Sequence, residues 1–465
     1  MKSDHYSKKK SWIWAFILIL LSTKTSSAQE IIPLQRALDI ALKNNLQIKR
    51  AQLNEALADE TLKQSKWALY PTLNGSSGLN FNHGRSINPT SNGFIDSEIT
   101  SSSFGLTAKT PLFMGFQRIN QIAANKYSLE ANKSGTQKAK NDLILNVLTT
   151  YLQVLTSQDL LLAAKQQLDY SHQQLDREQK CFDVGNKTGA DLSQAKAQVA
   201  TAELKVTKTQ NDLDVSLLTL AQFMERDPTL PFGVEKPVVE AEKAAHIAYS
   251  ATDIYRTALS NFPEIKQAES NSMARYKEIS LAKGGLYPQI SLQGGLNTGY
   301  SNAGNQIGSL ADGSPLYANA APFRSQLNTN FSQTIGASVS VPIFNGLSAR
   351  SSIRTAKVKY EDAKVSEQLA KNNLNKIINQ AVLDVRAAEK KYASTQAAYA
   401  ASKDAFDATE KRHAVGLVNT LDYNKAQTDL NNAQFETIKA EYDLMLCRQT
   451  IDFYLGKCLV SDGCK

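Results

Sequence analysis

Histidine and cysteine are scarce in this chain, five and four in 465 residues. His5, His83, His172, His246 and His413 are scattered, and Cys181 and Cys447 fall in helical patterns with no partner at zinc-ligand spacing, so no metal site is expected. There is no nucleophile elbow, no phosphate-binding glycine loop and no isolated pair of carboxylates; Asp and Glu alternate with Lys along helical faces, the pattern of a solvated surface. Neither catalysis nor a cofactor is therefore expected. Long apolar runs are missing too. Mean hydropathy is −0.34, and only one apolar run occurs, which excludes a bundle of membrane-spanning helices. No basic stripe interleaved with aromatics is present, so no nucleic-acid partner is expected.

The single apolar run is at the N-terminus. Lys8, Lys9 and Lys10 precede Ser11 to Leu21 (SWIWAFILILL), and small residues ending at Ser26, Ser27 and Ala28 follow. A basic region, a short apolar core and a small-x-small site read as a signal peptide over 1–28. Its removal takes five lysines against Asp4, so the formal charge falls from +8 by four to +4. At the other end, Cys458 and Cys464 are spaced to close a short loop within a tail at 458–465, leaving a disulfide or two free thiols as alternatives.

Between these ends the same pattern occurs twice. ALKNNLQIK (Ala41 to Lys49) returns as ALSNFPEIK (Ala258 to Lys266), and ALYPTL (Ala68 to Leu73) as GLYPQI (Gly285 to Ile290), both at an offset of 217. TPLFMGF (Thr110 to Phe116) returns as VPIFNGL (Val341 to Leu347), and DVGNKTGADLSQAKA (from Asp183) as AVGLVNTLDYNKAQT, at an offset of 231. The difference of 14 locates an insertion in the second copy, and Ser301 to Asn330, rich in Gly, Asn, Ala and Ser, is expected to be its loop. A first repeat over 29–226, a linker over 227–250 and a second repeat over 251–457 follow.

Each repeat reads as a helical segment, two strands and two further helices. Gln117 to Phe182 has no proline and one glycine, and Ser348 to Val415 has neither. Helices of this length imply coiled-coil packing. Between them the period changes to two. Leu73, Leu79 and Phe81 alternate with Asn74, Asn80 and Asn82, and Ile335, Ala337 and Val339 with Thr334, Gly336 and Ser338. Strands with one apolar and one small polar face, flanked by Tyr70, Phe113, Phe116, Tyr287 and Phe344, match transmembrane β-strands with an aromatic belt. Pro71, Pro111, Pro288 and Pro342 are expected at helix–strand junctions. Four strands cannot close a barrel, and an open edge in hydrocarbon leaves backbone groups unpaired, so at least two subunits must combine.

The order of these elements, duplicated, resembles the TolC family of outer-membrane efflux and secretion channels. The resemblance runs from PLQRALDIALKNNLQIKRAQ through the ALYPTL/GLYPQI and PLFMGF/PIFNGL junctions to the VG turns followed by Asp191 and Asp422. It implies an α+β membrane protein: a tandem-duplicated long α-helical coiled-coil barrel below a transmembrane β-barrel, four strands per subunit and twelve in a homotrimer. It also implies a periplasmic adaptor (membrane fusion) protein, an inner-membrane pump of RND or ABC type, and lipid of the outer membrane as partners. The turns at Val184, Gly185 and at Val415, Gly416, Leu417 resemble adaptor-docking tips, with helix C-caps as the alternative. Asp422, with Lys425 where the family often has a second aspartate, and Asp191 at the matching place in the first copy, are the candidates for an entrance gate. The implied function is a passive exit duct of a tripartite efflux pump or type I secretion system; an exported coiled-coil scaffold or adhesin is the alternative.

Overall fold

The computed structural model of the chain describes residues 30–87, 92, 94–96, 98–236, 250–304, 306–309, 311 and 315–457. The signal peptide, most of the linker and the Cys458–Cys464 tail lie outside the described residues. Two compact units form, and they cut across the repeats: one takes the described residues to Arg50, Lys138–Asn261 and from Asn373 on, the other Ala51–Gln137 and Phe262–Asn372. Each unit thus holds part of both copies.

The first unit is helical apart from one small sheet, in which β1 (Glu30–Ile32) pairs in parallel with a strand at Phe232–Val234 inside the expected linker. Its core gathers Ile32, Leu38, Val147, Leu148, Tyr151, Leu220 and Met224, all buried. Tyr151 joins that core to the sheet: its hydroxyl donates to Ile32 O (3.0 Å) and Glu235 O (2.7 Å) and accepts from Glu235 N (3.1 Å). Burial pushes the Tyr151 hydroxyl up to about 12, which keeps it a donor.

The expected single helix at the head of each copy is broken once. In the first copy α1 (Leu34–Asn44) stops at Asn45, whose Oδ1 accepts from Gln47 N (2.9 Å) and Ile48 N (3.3 Å) and so caps α2 (Leu46–Trp67). The second copy makes the same break with proline at the first position of the new helix, after Phe262.

The second unit is built on four antiparallel strands. β2 (Thr72–Asn82) pairs with a strand at Ile99–Met114, that strand with Gln289–Ser301, and this with Ser332–Ser340. In chain order, with the short strands Arg85–Ile87 (β3) and Phe94–Asp96 (β4), the linker strand (β6), and Gln306–Ser309 (β8) and Pro315–Tyr317 (β9), the main strands are β2, β5, β7 and β10, arranged β10-β7-β5-β2. The central pairing, β5 with β7, joins the first copy to the second.

The insertion of the second copy is more than the loop expected from its composition. It contains β8, β9 and a helix, Phe323–Thr329. Gln326 fastens that helix, donating to Ser301 O (2.8 Å) and accepting from Ser301 N (3.0 Å), while Phe323 packs on Tyr300 with ring centres 5.2 Å apart. Composition concealed this because side-chain hydrogen bonds to the backbone, rather than an apolar periodicity, hold it in place.

The long helices come as matched pairs. α3 (Gln117–Asp183) and α8 (Ser348–Ala414) each have 67 residues; α4 (Gly189–Phe223) and α9 (Thr420–Tyr454) each have 35. The remaining helices are α5 (Ala251–Asn261), α6 (Pro263–Lys283) and α7, the Phe323–Thr329 helix. Both strand-to-long-helix turns use two successive left-handed residues, Gly115–Phe116 (φ 60° and 64°) and Gly346–Leu347 (60° and 64°). At Gly115 a Cβ would lie 2.3 Å from Gly284 O, so only glycine fits there.

Candidate functional site

The residues singled out in the sequence fall into two groups, one in each unit. In the sheet, alternate side chains divide between two faces. One face carries Leu73, Leu79, Phe81, Leu106, Ile290, Leu296, Ile335 and Val339, and much of it is solvent-exposed in the single chain: Phe81 73%, Ile335 83%, Val339 63%. The opposite face carries mainly Ser, Thr, Asn, Gln and Gly, with Lys109 its one charged residue. No helix among the described residues is long and apolar enough to cross a membrane.

At the end of the sheet where the helices join, Phe113 and Phe116 meet edge to face (5.1 Å), as do Phe116 and Tyr287 (6.1 Å), and Trp67 lies 5.5 Å from Tyr70. Of the four prolines expected at junctions, Pro71 and Pro288 immediately precede β2 and β7, and Pro342 follows β10. Pro111 departs from that expectation. It lies inside β5, where the register shifts between Pro111 and Phe113; the bulge absorbs the missing N–H and the strand continues to Met114.

In the other unit the two hairpin turns have the geometry of Schellman caps. Gly185 (φ 79°) and Gly416 (φ 76°) occupy the left-handed position. Asn186 N donates to Cys181 O and Leu417 N to Arg412 O, both at 2.9 Å, closing the six-residue loop, while Gly185 N and Gly416 N reach Phe182 O and His413 O. The glycines thus serve the helix ends. The side chains of the flanking Val184, Val415 and Leu417 are not needed for that; each residue is about 70% exposed.

The three gate candidates separate. Asp191 is committed to a capping box: Thr188 Oγ1 accepts from Asp191 N (3.2 Å), and Asp191 Oδ2 accepts from Thr188 N (3.2 Å) and Oγ1 (2.7 Å). Those bonds from Thr188 hold its carboxyl below the usual range. Asp422 sits at the same helical position in the second copy, but there the cap is Asn419, whose Oδ1 accepts from Asp422 N (2.8 Å). Its carboxylate is left exposed, and so is Lys425 one turn on.

Sequence reasoning missed the polar cluster beneath the turns. Tyr170 of α3 donates to Glu410 of α8 (3.0 Å) and is hydrogen-bonded to Tyr423 of α9, on which His413 stacks at 4.5 Å. Burial pushes both tyrosine hydroxyls up and the His413 imidazole down, the latter with help from Lys187 and Arg177. Nearby, Glu178 is 2% exposed at its side chain; Oε1 accepts from Gln174 (2.9 Å) and Oε2 lies 3.4 Å from Lys187 Nζ, which also donates to Thr420 (2.8 Å). The only signal in the sequence was placement: Lys187 and Tyr423 flank the two turns, one in each copy.

A sheet with one lipid-compatible face, continued by duplicated pairs of long helices, defines an outer-membrane channel protein with a periplasmic helical part. The chain belongs to the outer membrane efflux protein family, which it matches over residues 37–224 and 254–457. It is 24% identical over 446 residues to the outer membrane efflux protein BepC of Brucella suis (96% of this chain, 90% of the relative). It is also 24% identical over 455 residues to the outer membrane protein TolC of Escherichia coli (95% and 85%). In fold it is similar to the CmeC outer membrane channel of Campylobacter jejuni, with a TM-score of 0.77 at 19% identity over 91% of this chain and 85% of that one. The protein is an outer-membrane efflux or secretion channel, which sets aside the scaffold or adhesin alternative.

Proposed function

We propose that three copies of this chain close a twelve-stranded barrel in the outer membrane and form the passive exit duct of a tripartite efflux pump or type I secretion system. The observation that carries this reading is the four-stranded sheet itself. β2 and β10 are its outer strands, no further strand pairs with either among the described residues, and its apolar face is exposed. Each open ladder group in hydrocarbon costs several kcal/mol, which edge-to-edge closure between subunits removes. Two subunits would give a bore filled by side chains; three leave room for a lumen lined by the polar face.

On this reading Val415, Gly416 and Leu417, with Val184 and Gly185, dock a periplasmic adaptor that connects to an inner-membrane pump of RND or ABC type. Their exposed apolar side chains beside rigid glycine caps support it. Asp422 and Lys425 face the entrance as a mixed-charge pair, whereas Asp191 serves its helix cap. Light scattering of the detergent-solubilised protein should give three times the mature mass, and a monodisperse monomer in plain buffer would overturn the reading. Leu417→Asp should abolish capture of the adaptor by the intact trimer.

A further inference from the structure

The polar face of the sheet is almost without charge, and its single exception is Lys109. At every other paired position on that face the four strands carry Ser, Thr, Asn, Gln, Gly, or at the margins Ile99, Pro111 and Met114. Lys109 lines a cavity of about 450 Å3 at the end of the sheet where the helices join, and the second cation in that cavity is Arg118, from the first turn of α3. The rest of the lining is neutral, with Thr72, Ser291, Ser338 and Ser340 offering hydroxyls; no carboxylate contributes. Neither cation has an ion-pair partner among the described residues, and both are exposed.

The internal repeat shows that the fold does not require them. At the offset of 231 that aligns Pro111 with Pro342, Lys109 corresponds to Ser340 and Arg118 to Ala349. The second copy makes the same strand without a charge, while its helix carries Arg350 one position beyond the equivalent of Arg118. The cation on the face that carries the small polar side chains, Lys109, therefore occurs in one copy only.

We propose that Lys109 and Arg118 form a recruiting site for polyvalent anions, such as phosphate- or carboxylate-bearing solutes, at the base of the sheet's polar face. Resting on the trimeric duct, this places three of each residue around the lumen as one positive ring, and a cleft of a single sign with low-dielectric walls concentrates counter-charged solutes. The screening length of about 8 Å at physiological salt confines the effect to solutes passing the ring. Charge preference would then reside in the barrel as well as at the periplasmic entrance.

Inorganic tripolyphosphate is a suitable probe, titrated calorimetrically into the detergent-solubilised trimer at low salt. Wild type should bind, and Lys109→Gln and Arg118→Gln should each raise Kd roughly tenfold, a difference that shrinks as salt rises. Lys109→Arg should retain binding, and Ser340→Lys should strengthen it. Trimer mass checked on every sample separates a folding defect from loss of the site. Unchanged binding in a trimeric Lys109→Gln/Arg118→Gln double variant overturns this inference alone; a wild-type monomer overturns the duct and the ring together.

Discussion

Replacing Lys187 with Met removes the cation that faces a buried carboxylate. Glu178 Oε2 accepts no hydrogen bond among the described residues and has only Lys187 Nζ, 3.4 Å away, to offset its burial. Breaking a buried pair by deleting one member costs about 3–5 kcal/mol. The Lys187 side chain is 26% exposed and its pairing is partly screened, so roughly 2 kcal/mol is the better figure, or about thirtyfold in a local opening equilibrium. The same substitution cuts the bond from Lys187 to Thr420, so loosening should extend from the first turn to the second. Hydrogen exchange resolves it: amides in 174–190 and 412–427 should exchange faster, while those of the Tyr151 core stay unchanged. Adding Glu178→Gln should restore most of the protection, because a neutral amide needs no cation. If the single variant exchanges like wild type, or the double variant is as loose as the single, the pair does not hold the turns together.

Three further outcomes follow from other contacts. Val339→Lys should block assembly into the outer membrane by about 2–4 kcal/mol, while Ser338→Lys, on the opposite face, should be tolerated; trimer yield from membranes distinguishes them. Tyr151→Phe leaves Ile32 O, Glu235 O and Glu235 N without their shared hydroxyl partner, and should cost about 1–3 kcal/mol in denaturant unfolding, with early loss of protection in β1 and β6. His413, lowered by burial and by Lys187 and Arg177 against the opposing pull of Glu178, binds fewer protons folded than unfolded. Its contribution is therefore present above the unfolded value near 6.5 and lost as pH falls below it. Protection factors at 412–427, corrected for the intrinsic exchange rate, should fall between pH 7 and 5.5, and His413→Phe should flatten that dependence.

The duplication and the strands were legible in the sequence because each has a strict period. A one-residue slip in β10 would turn Ile335, Ala337 and Val339 to the polar face, so the alternation fixes both element and orientation. The gap-free offset of 231 likewise anticipated helices of equal length in the two copies. What escaped depends on contacts between distant residues. Nothing near Tyr170 announces Glu410 or Tyr423, which lie 240 and 253 positions away. The break at Asn45 was hidden for another reason: asparagine caps a helix only when its neighbours leave the helical conformation, and the flanking apolar pattern continues without a gap.

The two copies can be used to separate what the fold demands from what the function adds. Features that recur despite diverged sequence answer to backbone geometry: paired left-handed residues at 115–116 and 346–347, glycine at both hairpin turns, and helices of 67 and 35 residues. Features present once answer to something outside the shared backbone. Asp191 and Asp422 illustrate the distinction, since they occupy one position in the repeat yet only Asp191 completes a capping box. Asn419 performs the capping alone and frees the second carboxylate, which costs the helix little, because Asn and Thr are comparable caps. The same test sets Lys109 apart from Ser340, and exposed Leu417 apart from Asn186. Within one chain, where the same backbone was filled twice, the residues that differ at equivalent exposed positions are the ones whose chemistry the surroundings of the channel must explain.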